Sequence, residues 1–102
     1  MKIFSYPEQW RTGLIGASSE EVAGGALFVM HSTAHWPVSM EGMNLPLDVY
    51  WLSEGRMVLE HAELFPGMPV YWPEVAARYV LELPMLAEGP LYKVGEFVEV
   101  PL

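Results

Sequence analysis

Three carboxylates lie within apolar segments and are the residues best suited to acid–base chemistry. Glu41 falls in "MEGM", Asp48 in "PLDVYWL" and Glu82 in "VLEL". Two carboxyl groups that are held close together push their pKa values apart, so one serves as an acid and the other as a base. No nucleophile motif or phosphate-binding glycine loop accompanies them. A small hydrolase or a divalent-cation-binding protein is therefore an alternative function, and it requires two of these carboxyls to converge in a pocket.

Two histidines have a spacing that is found in some metal sites. His31 and His35 lie four residues apart in "HSTAH", and on a helix both imidazoles would face one metal ion. The preceding "ALFVM" is typical of a strand, in which four residues span about 13 Å, so the pair is a weak candidate. His61, Met40 and Met43 would complete a soft copper site only if the loop folded back. We expect no metal and no cofactor.

Aromatic side chains are the third group that could bind a ligand. Exposed rings on a β-surface stack on sugars or apolar peptides and anchor protein interfaces. "VYW" occurs at 49–51 and 70–72, and neighbours on a strand point to opposite sides, so one ring of each Tyr–Trp pair should be core. A ring left at a rim would favour binding or self-association. The candidates are Trp36, Tyr50, Trp51, Tyr71, Trp72 and Tyr92.

The charge balance excludes several classes of partner. The formal net charge is −8, from 13 acidic and 5 basic residues, and the basic residues are scattered along the chain. Nucleic acid and anionic membrane surfaces both require Lys and Arg, so we expect neither as a partner. The absence of cysteine excludes disulfides, a thiolate nucleophile and a thiolate zinc site. "MKIFSYPEQW" lacks the apolar stretch of a signal peptide, so we expect a soluble cytoplasmic protein.

The elements that position these residues are mainly strands. A short first strand and about six further strands are predicted in one domain spanning 1–102, and a small barrel or sandwich accommodates them. Short N-terminal helical turns are predicted where Ser5–Glu8 and Ser18–Glu21 have capping-box spacing. The predicted strands lie in "KIFSY", "ALFVM", "PLDVYWL", "RMVLEHAEL", "MPVYW", "ARYVLELP" and "EFVEV".

The segment "SEGR" predicts a hairpin in which 47–52 pairs antiparallel with 56–62. A two-residue loop of Glu54 and Gly55 places Asp48 opposite His61. A three-residue loop places Asp48 opposite Glu60, which is a like-charge pair. We favour the two-residue loop because it avoids that repulsion, and we interpret Asp48 as structural first.

The order of motifs resembles a known family. "GLIG", "GALFVM", "MEGMNLPLDVYWL", "ARYVLELP" and "VGEFVEV" follow one another as in the uncharacterised domain-of-unknown-function family 192. The resemblance spans nearly the whole chain and implies a small β-rich barrel or sandwich, with no established activity. Glu41 stands where the family usually carries a basic residue, Gly42 replaces a usual Asn, and Glu96 replaces a usual Asp. Met40, Asn44, Asp48, Arg78 and Glu82 match positions of the family pattern.

We therefore expect a protein of unknown function that is a non-enzymatic binding or interaction module. The expected partner is a small molecule, another protein or, in a homo-oligomer, a second copy of this chain. The candidate binding residues are Met40, Glu41, Met43, Asn44, Asp48, His61, Arg78 and Glu82.

Overall fold

A computed structural model describes residues 1–5 and 24–102, and its regular structure consists of five strands. The strand order in the sheet is β1-β2-β5-β3-β4; β1 pairs parallel with β2 and the other pairs are antiparallel. The prediction of a mainly β fold is confirmed. The predicted N-terminal helical turns lie outside the described residues. The strands are β1 (Lys2–Phe4), β2 (Ala26–Ala34), β3 (Leu47–Leu52), β4 (Val58–Leu64) and β5 (Ala77–Pro84).

The sheet buries side chains on both faces. Because side chains alternate along a strand, β3 sends Trp51 to one face and Tyr50 to the other, and both are 0% exposed. Residues 38–43 and 71–75 pack against the first face, here called the Trp51 face. Residues 92–100 pack against the second, the Tyr50 face. The prediction that only one ring of this pair is core is therefore wrong, because β3 lies inside the sheet and both faces are covered.

The β3–β4 hairpin forms as predicted, but its register is different. Asp48 lies opposite Glu63, whereas His61 lies opposite Tyr50. The turn contains three residues between Ser53 and Met57, closed by the Arg56 amide donating to the Ser53 carbonyl at 2.8 Å. In the β3–β4 ladder Asp48 therefore pairs with neither His61 nor Glu60, so both predicted registers are wrong.

Two local irregularities produce this register. Arg56 adopts a left-handed φ of 71° at the end of the turn, where glycine is more usual. Leu52 lies opposite Val58 and Trp51 lies opposite Glu60, so Leu59 is an extra residue on β4. A bulge of this kind shifts all subsequent pairs by one residue, which the turn sequence alone does not reveal.

Two of the predicted strands are absent as regular strands. In "MPVYW" only Tyr71 forms a bridge, to Val38, and in "EFVEV" only Phe97 does so, to Met57. Pro69 removes an amide donor from the first segment, and Pro66 and Pro73 prevent the ladder from extending on either side of it. The predictions for "KIFSY", "ALFVM", "PLDVYWL", "RMVLEHAEL" and "ARYVLELP" are confirmed.

The strands of the described residues form a single sheet with β1 and β4 at its ends. The second sheet that a sandwich needs is not formed by residues 1–5 and 24–102. In the same residues no helix has the length and apolar character that crossing a bilayer requires.

Candidate functional site

A tight turn at residues 40–43 precedes β3. It points its two methionines and the carboxylate between them in different directions. The Met43 amide donates to the Met40 carbonyl at 3.0 Å, and Gly42 has a φ of 79°. A positive φ at this position is the pattern of a type II turn. The turn directs Met40 and Met43 inwards, where they are 2% and 8% exposed, and leaves Glu41 exposed.

A second loop, residues 65–70, follows β4 and faces this turn. The Phe65 amide donates to the Met68 sulfur at 3.1 Å, and the Met68 amide donates to the Phe65 carbonyl at 3.2 Å. Gly67 provides the left-handed φ of 87° that the loop needs. The loop is thus closed on itself, with the Met68 side chain held across it.

A two-bond bridge connects the segments that carry the turn and the loop. The Val38 amide donates to the Tyr71 carbonyl at 3.0 Å, and the Tyr71 amide donates to the Val38 carbonyl at 2.9 Å. Below the bridge, the Tyr71 ring lies 5.2 Å from the Trp51 ring. The Trp51 indole N–H donates to the Trp36 carbonyl at 2.9 Å. The sheet therefore fixes both segments through one buried tryptophan.

An open pocket of about 400 Å³ lies between the turn and the loop. Residues 39–43 line one side and residues 67–70 line the other. The lining includes Met40, Met43 and Met68, whose unbranched thioether side chains adapt to different apolar shapes. Its volume lies at the lower end of the range for small-ligand sites, about 300 to 1,000 Å³. The pocket can hold one compact group, in contact with both apolar and polar surface.

Tyr71 also connects the pocket region to two carboxylates. Its hydroxyl donates to Glu60 Oε2 at 2.6 Å, and the Glu74 amide donates to Glu60 Oε1 at 2.8 Å. The hydrogen bond to Glu60 raises the pKa of Tyr71 to about 12, with burial adding to it. The phenol therefore stays protonated and keeps the Glu60 carboxylate beside residues 71–74, the segment that leaves the pocket.

Asp48 and His61 form a separate pair on the Tyr50 face. His61 Nε2 lies 2.7 Å from Asp48 Oδ1, and the imidazole stacks on the Tyr50 ring at 4.8 Å. The Tyr50 hydroxyl accepts a hydrogen bond from the Leu91 amide at 3.1 Å, and burial raises the pKa of the Tyr50 phenol. The ring of Tyr92 packs edge-on against Tyr50 at 5.4 Å. The pair thus belongs to the packed core beneath the C-terminal segment.

Glu82 is the third carboxylate and lies deep in the sheet. Its strand neighbours are Ala26 on β2 and Val49 on β3, and alternation with Val80 and Leu81 places its side chain on the Trp51 face. Glu82 is 2% exposed, and its Oε2 has no hydrogen-bond partner within residues 1–5 and 24–102. Burial alone raises the pKa of Glu82 to about 8.

The comparisons with known proteins agree with this β-rich structure. The profile of the family described as "Uncharacterized ACR", which is domain-of-unknown-function family 192, matches residues 1–88. The chain belongs to this family. A comparison with curated proteins found no significant match. The turn at 40–43 also accounts for one departure from the family pattern, because Gly at 42 accepts the left-handed φ that Asn tolerates next best.

Two solved structures share the fold. One is a protein of unknown function from Novosphingobium aromaticivorans, with a TM-score of 0.73 and 20% identity, over 96% of this chain and 72% of that one. The other is a candidate transcription regulator from Sinorhizobium meliloti, with a TM-score of 0.67 and 22% identity, over 80% of this chain. This chain spans 65% of the length of the regulator. At these identities the likeness shows the fold alone.

For this member of family 192, the structure brings together only some of the predicted site residues. Met40, Glu41 and Met43 line the pocket. Asn44 is exposed beside the turn and does not line it. Arg78 is half-buried, and its guanidinium carbon lies 5.7 Å from the centre of the Tyr79 ring.

The three carboxylates of the alternative hydrolase or cation site do not converge. Asp48 lies opposite Leu83 and Glu82 lies opposite Val49 in the β3–β5 ladder, so their side chains leave opposite faces of the sheet. Glu41 lines the pocket instead. Among the described residues, no three His, Asp or Glu side chains are grouped to hold a metal ion.

The two histidines of "HSTAH" are both exposed. The His35 Nδ1 lies 3.3 Å from the Pro73 carbonyl oxygen, and the His31 ring packs edge-on against Trp36 at 5.2 Å. β2 continues through Ala34, so the tight turn that would bring the two imidazoles together is not formed.

Sequence reasoning missed the far side of the pocket. It predicts a strand at 68–72, and it names neither Met68 nor Val70 as a binding residue. The available signal is the alternation of Pro and Gly in "FPGMPV", which marks a loop that exposes its apolar residues.

Proposed function

We propose that this chain is a non-enzymatic binding module whose site is the pocket between residues 39–43 and 67–70. The observation that carries the proposal is that large apolar side chains stay exposed in the lining of this methionine-containing pocket and two residues beyond it. Met68, Val70 and Trp72 are 37%, 48% and 66% exposed. Apolar surface that stays open to water in this amount commonly marks a site for a ligand or a protein.

The pocket also differs from the rest of the molecule in how it is built. Met40 and Met43 belong to the core cluster on the Trp51 face and simultaneously line the pocket. A ligand seated there would extend an existing apolar core and would need no rearrangement of the sheet. The alternative function, a hydrolase or cation site, lacks converging carboxylates, so we do not retain it.

Several finer points belong to the same proposal. The partner is a small molecule or a protein; nucleic acid and membrane are not expected, because of the −8 charge. The exposed apolar surface also favours self-association of the protein, which we place in the cytoplasm. The bridges of Val38 to Tyr71 and of Met57 to Phe97 extend pairing beyond the strands, which supports a partly closed barrel.

The test uses a neutral fluorescent probe, N-phenyl-1-naphthylamine, whose emission rises in apolar sites. We expect the wild-type chain to bind the probe and a Val70→Asp variant to lose binding, because a carboxylate at the rim disfavours apolar ligands. Val94→Asp is the matched control, since Val94 is 63% exposed beside β4 at its hairpin end, away from the pocket lining. Failure of the wild type to bind, or equal loss in both variants, contradicts the proposal.

A further inference from the structure

The pocket lies in a part of the chain that carries only negative charge. Between Arg11 and Arg56, and again between Arg56 and Arg78, the sequence contains no Lys or Arg. Both sides of the pocket come from these two stretches. The acidic residues of the described part of the stretches are Glu41, Asp48, Glu54, Glu60, Glu63 and Glu74.

Three of these carboxylates are next to the pocket or to the segment that leaves it. Glu41 lines the pocket itself and is exposed. Glu60 accepts hydrogen bonds from the Tyr71 hydroxyl and the Glu74 amide, at 2.6 and 2.8 Å, so Glu60 and Glu74 flank residues 71–74. The pocket therefore has one carboxylate in its lining, and two more lie along residues 71–74, which continue the chain from its far side.

The segment that leaves the pocket carries a ring that suits a cation. Trp72 directly follows Tyr71 and is 66% exposed. An indole face attracts Lys and Arg side chains through the negative potential of its ring. Trp72 thus offers apolar contact and also attracts positive charge, as the carboxylates do.

We propose that the pocket binds a basic peptide segment, with one apolar side chain of the peptide in the methionine-lined pocket and its Lys or Arg residues beside Glu41, Glu74 and Trp72. This inference rests on the proposed function and names its ligand class. Methionine-rich surfaces with acidic borders suit amphipathic basic peptides, because the thioethers adapt to different side chains while the carboxylates select the charge. A second copy of this chain is a poorer occupant, since each copy carries a net charge of −8.

The experiment compares three synthetic peptides of equal length on the intact chain. The first combines Leu with Lys, the second replaces each Lys by Glu, and the third replaces each Leu by Ser. We expect the Leu–Lys peptide to bind at least about tenfold more tightly than either other peptide in isothermal titration, with affinity falling as salt rises.

Variants then locate the contribution of charge. Glu41→Gln combined with Glu74→Gln should weaken binding of the Leu–Lys peptide about threefold to tenfold, because two exposed charge contacts are removed. Glu88→Gln combined with Glu99→Gln makes the same change in net charge at exposed positions elsewhere and should have no such effect. Val70→Asp should abolish binding of the Leu–Lys peptide, and Val94→Asp should not.

The outcomes separate this inference from the proposed function. Equal binding of the Lys and Glu peptides, both abolished by Val70→Asp, overturns the basic-peptide inference and leaves the apolar pocket intact as a site. Binding of the neutral probe without binding of any peptide has the same consequence. A dimer in sedimentation that Val70→Asp disrupts would identify a second copy as the occupant and also overturn the inference.

Discussion

The buried carboxyl of Glu82 makes the stability of the fold depend on pH in a defined direction. Its pKa is about 8 in the folded chain because burial disfavours the charged form, against 4.5 for an ordinary glutamate. The folded state therefore retains a proton that the unfolded state releases, so stability is greatest below pH 4.5 with respect to this group and falls as pH rises towards 8. This loss of stability is complete only above about pH 8, the pKa of Glu82 in the folded chain.

The magnitude follows from the distance between the two pKa values. At about 1.4 kcal/mol per pKa unit, the full difference between 4.5 and about 8 amounts to about 5 kcal/mol. At pH 5 less than about 1 kcal/mol of this penalty is present, and at pH 7 about 3 kcal/mol is present. The full penalty of about 5 kcal/mol is comparable to the total stability of many small domains, about 5 to 15 kcal/mol.

Glu82→Met tests this reasoning, because methionine has a similar length and does not ionise. We expect the variant to gain stability relative to wild type as pH rises, by about 3 to 4 kcal/mol between pH 5 and pH 8. The measurement is the free energy of unfolding in urea at several pH values. Taking the difference between variant and wild type removes the titration of all other groups that the substitution does not perturb.

Two further variants serve as controls. Glu82→Gln cannot ionise either and should follow Glu82→Met in its pH dependence, although its buried amide lowers stability by a constant of about 1 to 3 kcal/mol. Glu88→Gln, at an exposed position, should leave the pH profile of wild type unchanged. A difference between Glu82→Met and wild type that stays constant within about 1 kcal/mol from pH 5 to pH 8 would refute the argument.

Three other predictions follow from local geometry, each measured as the free energy of unfolding. His61→Ala should cost about 2 to 4 kcal/mol, because it leaves the Asp48 carboxylate, which is 3% exposed, without its partner. The double variant His61→Ala with Asp48→Leu should restore most of this loss, and additive losses of the two substitutions would contradict the argument. Gly25→Ala should cost about 1 to 2 kcal/mol, since Ala is strained at a φ of 85° and its Cβ would lie 2.8 Å from the end of the Leu83 side chain, which must shift. Gly67→Ala has a similar φ but open space, so it should cost about 1 kcal/mol; a smaller cost at Gly25 than at Gly67 would contradict the crowding. Arg56→Gly should stabilise the hairpin by about 0.5 kcal/mol by relieving a φ of 71°, and a loss of stability would count against that strain.

Periodicity was a reliable guide where a strand lies inside the sheet. β5 was predicted within its observed bounds of Ala77–Pro84, and β3 was predicted with one extra residue. Such segments are apolar on both faces and bounded by Pro or Gly, so the pattern and the boundary agree. At 70–72 the same "VYW" letters are not a strand, because the three flanking prolines prevent a ladder and Trp72 stays exposed.

The Asp48–His61 contact shows how a correct contact can arise from a wrong register. The predicted pairing placed the two residues directly opposite, whereas the observed register places Glu63 opposite Asp48 and Tyr50 opposite His61. Positions 61 and 63 point to the same face of β4, and a diagonal neighbour on that face remains within reach of an imidazole. His61 therefore contacts Asp48 at 2.7 Å despite the bulge at Leu59.

The pocket was only half predictable for a physical reason. One side of it is a local turn at 40–43, whose Met-x-Gly-Met pattern is visible in the sequence. The other side reaches its place through the bridge between Val38 and Tyr71 and the packing of Tyr71 on Trp51, which join residues far apart in the chain. No local pattern encodes such contacts, and the strand pattern that "MPVYW" does show is interrupted by Pro69 and ended by Pro73. Irregular segments that a rigid sheet holds in place are common positions for binding sites, so the least predictable part of this chain is also where we expect its ligand.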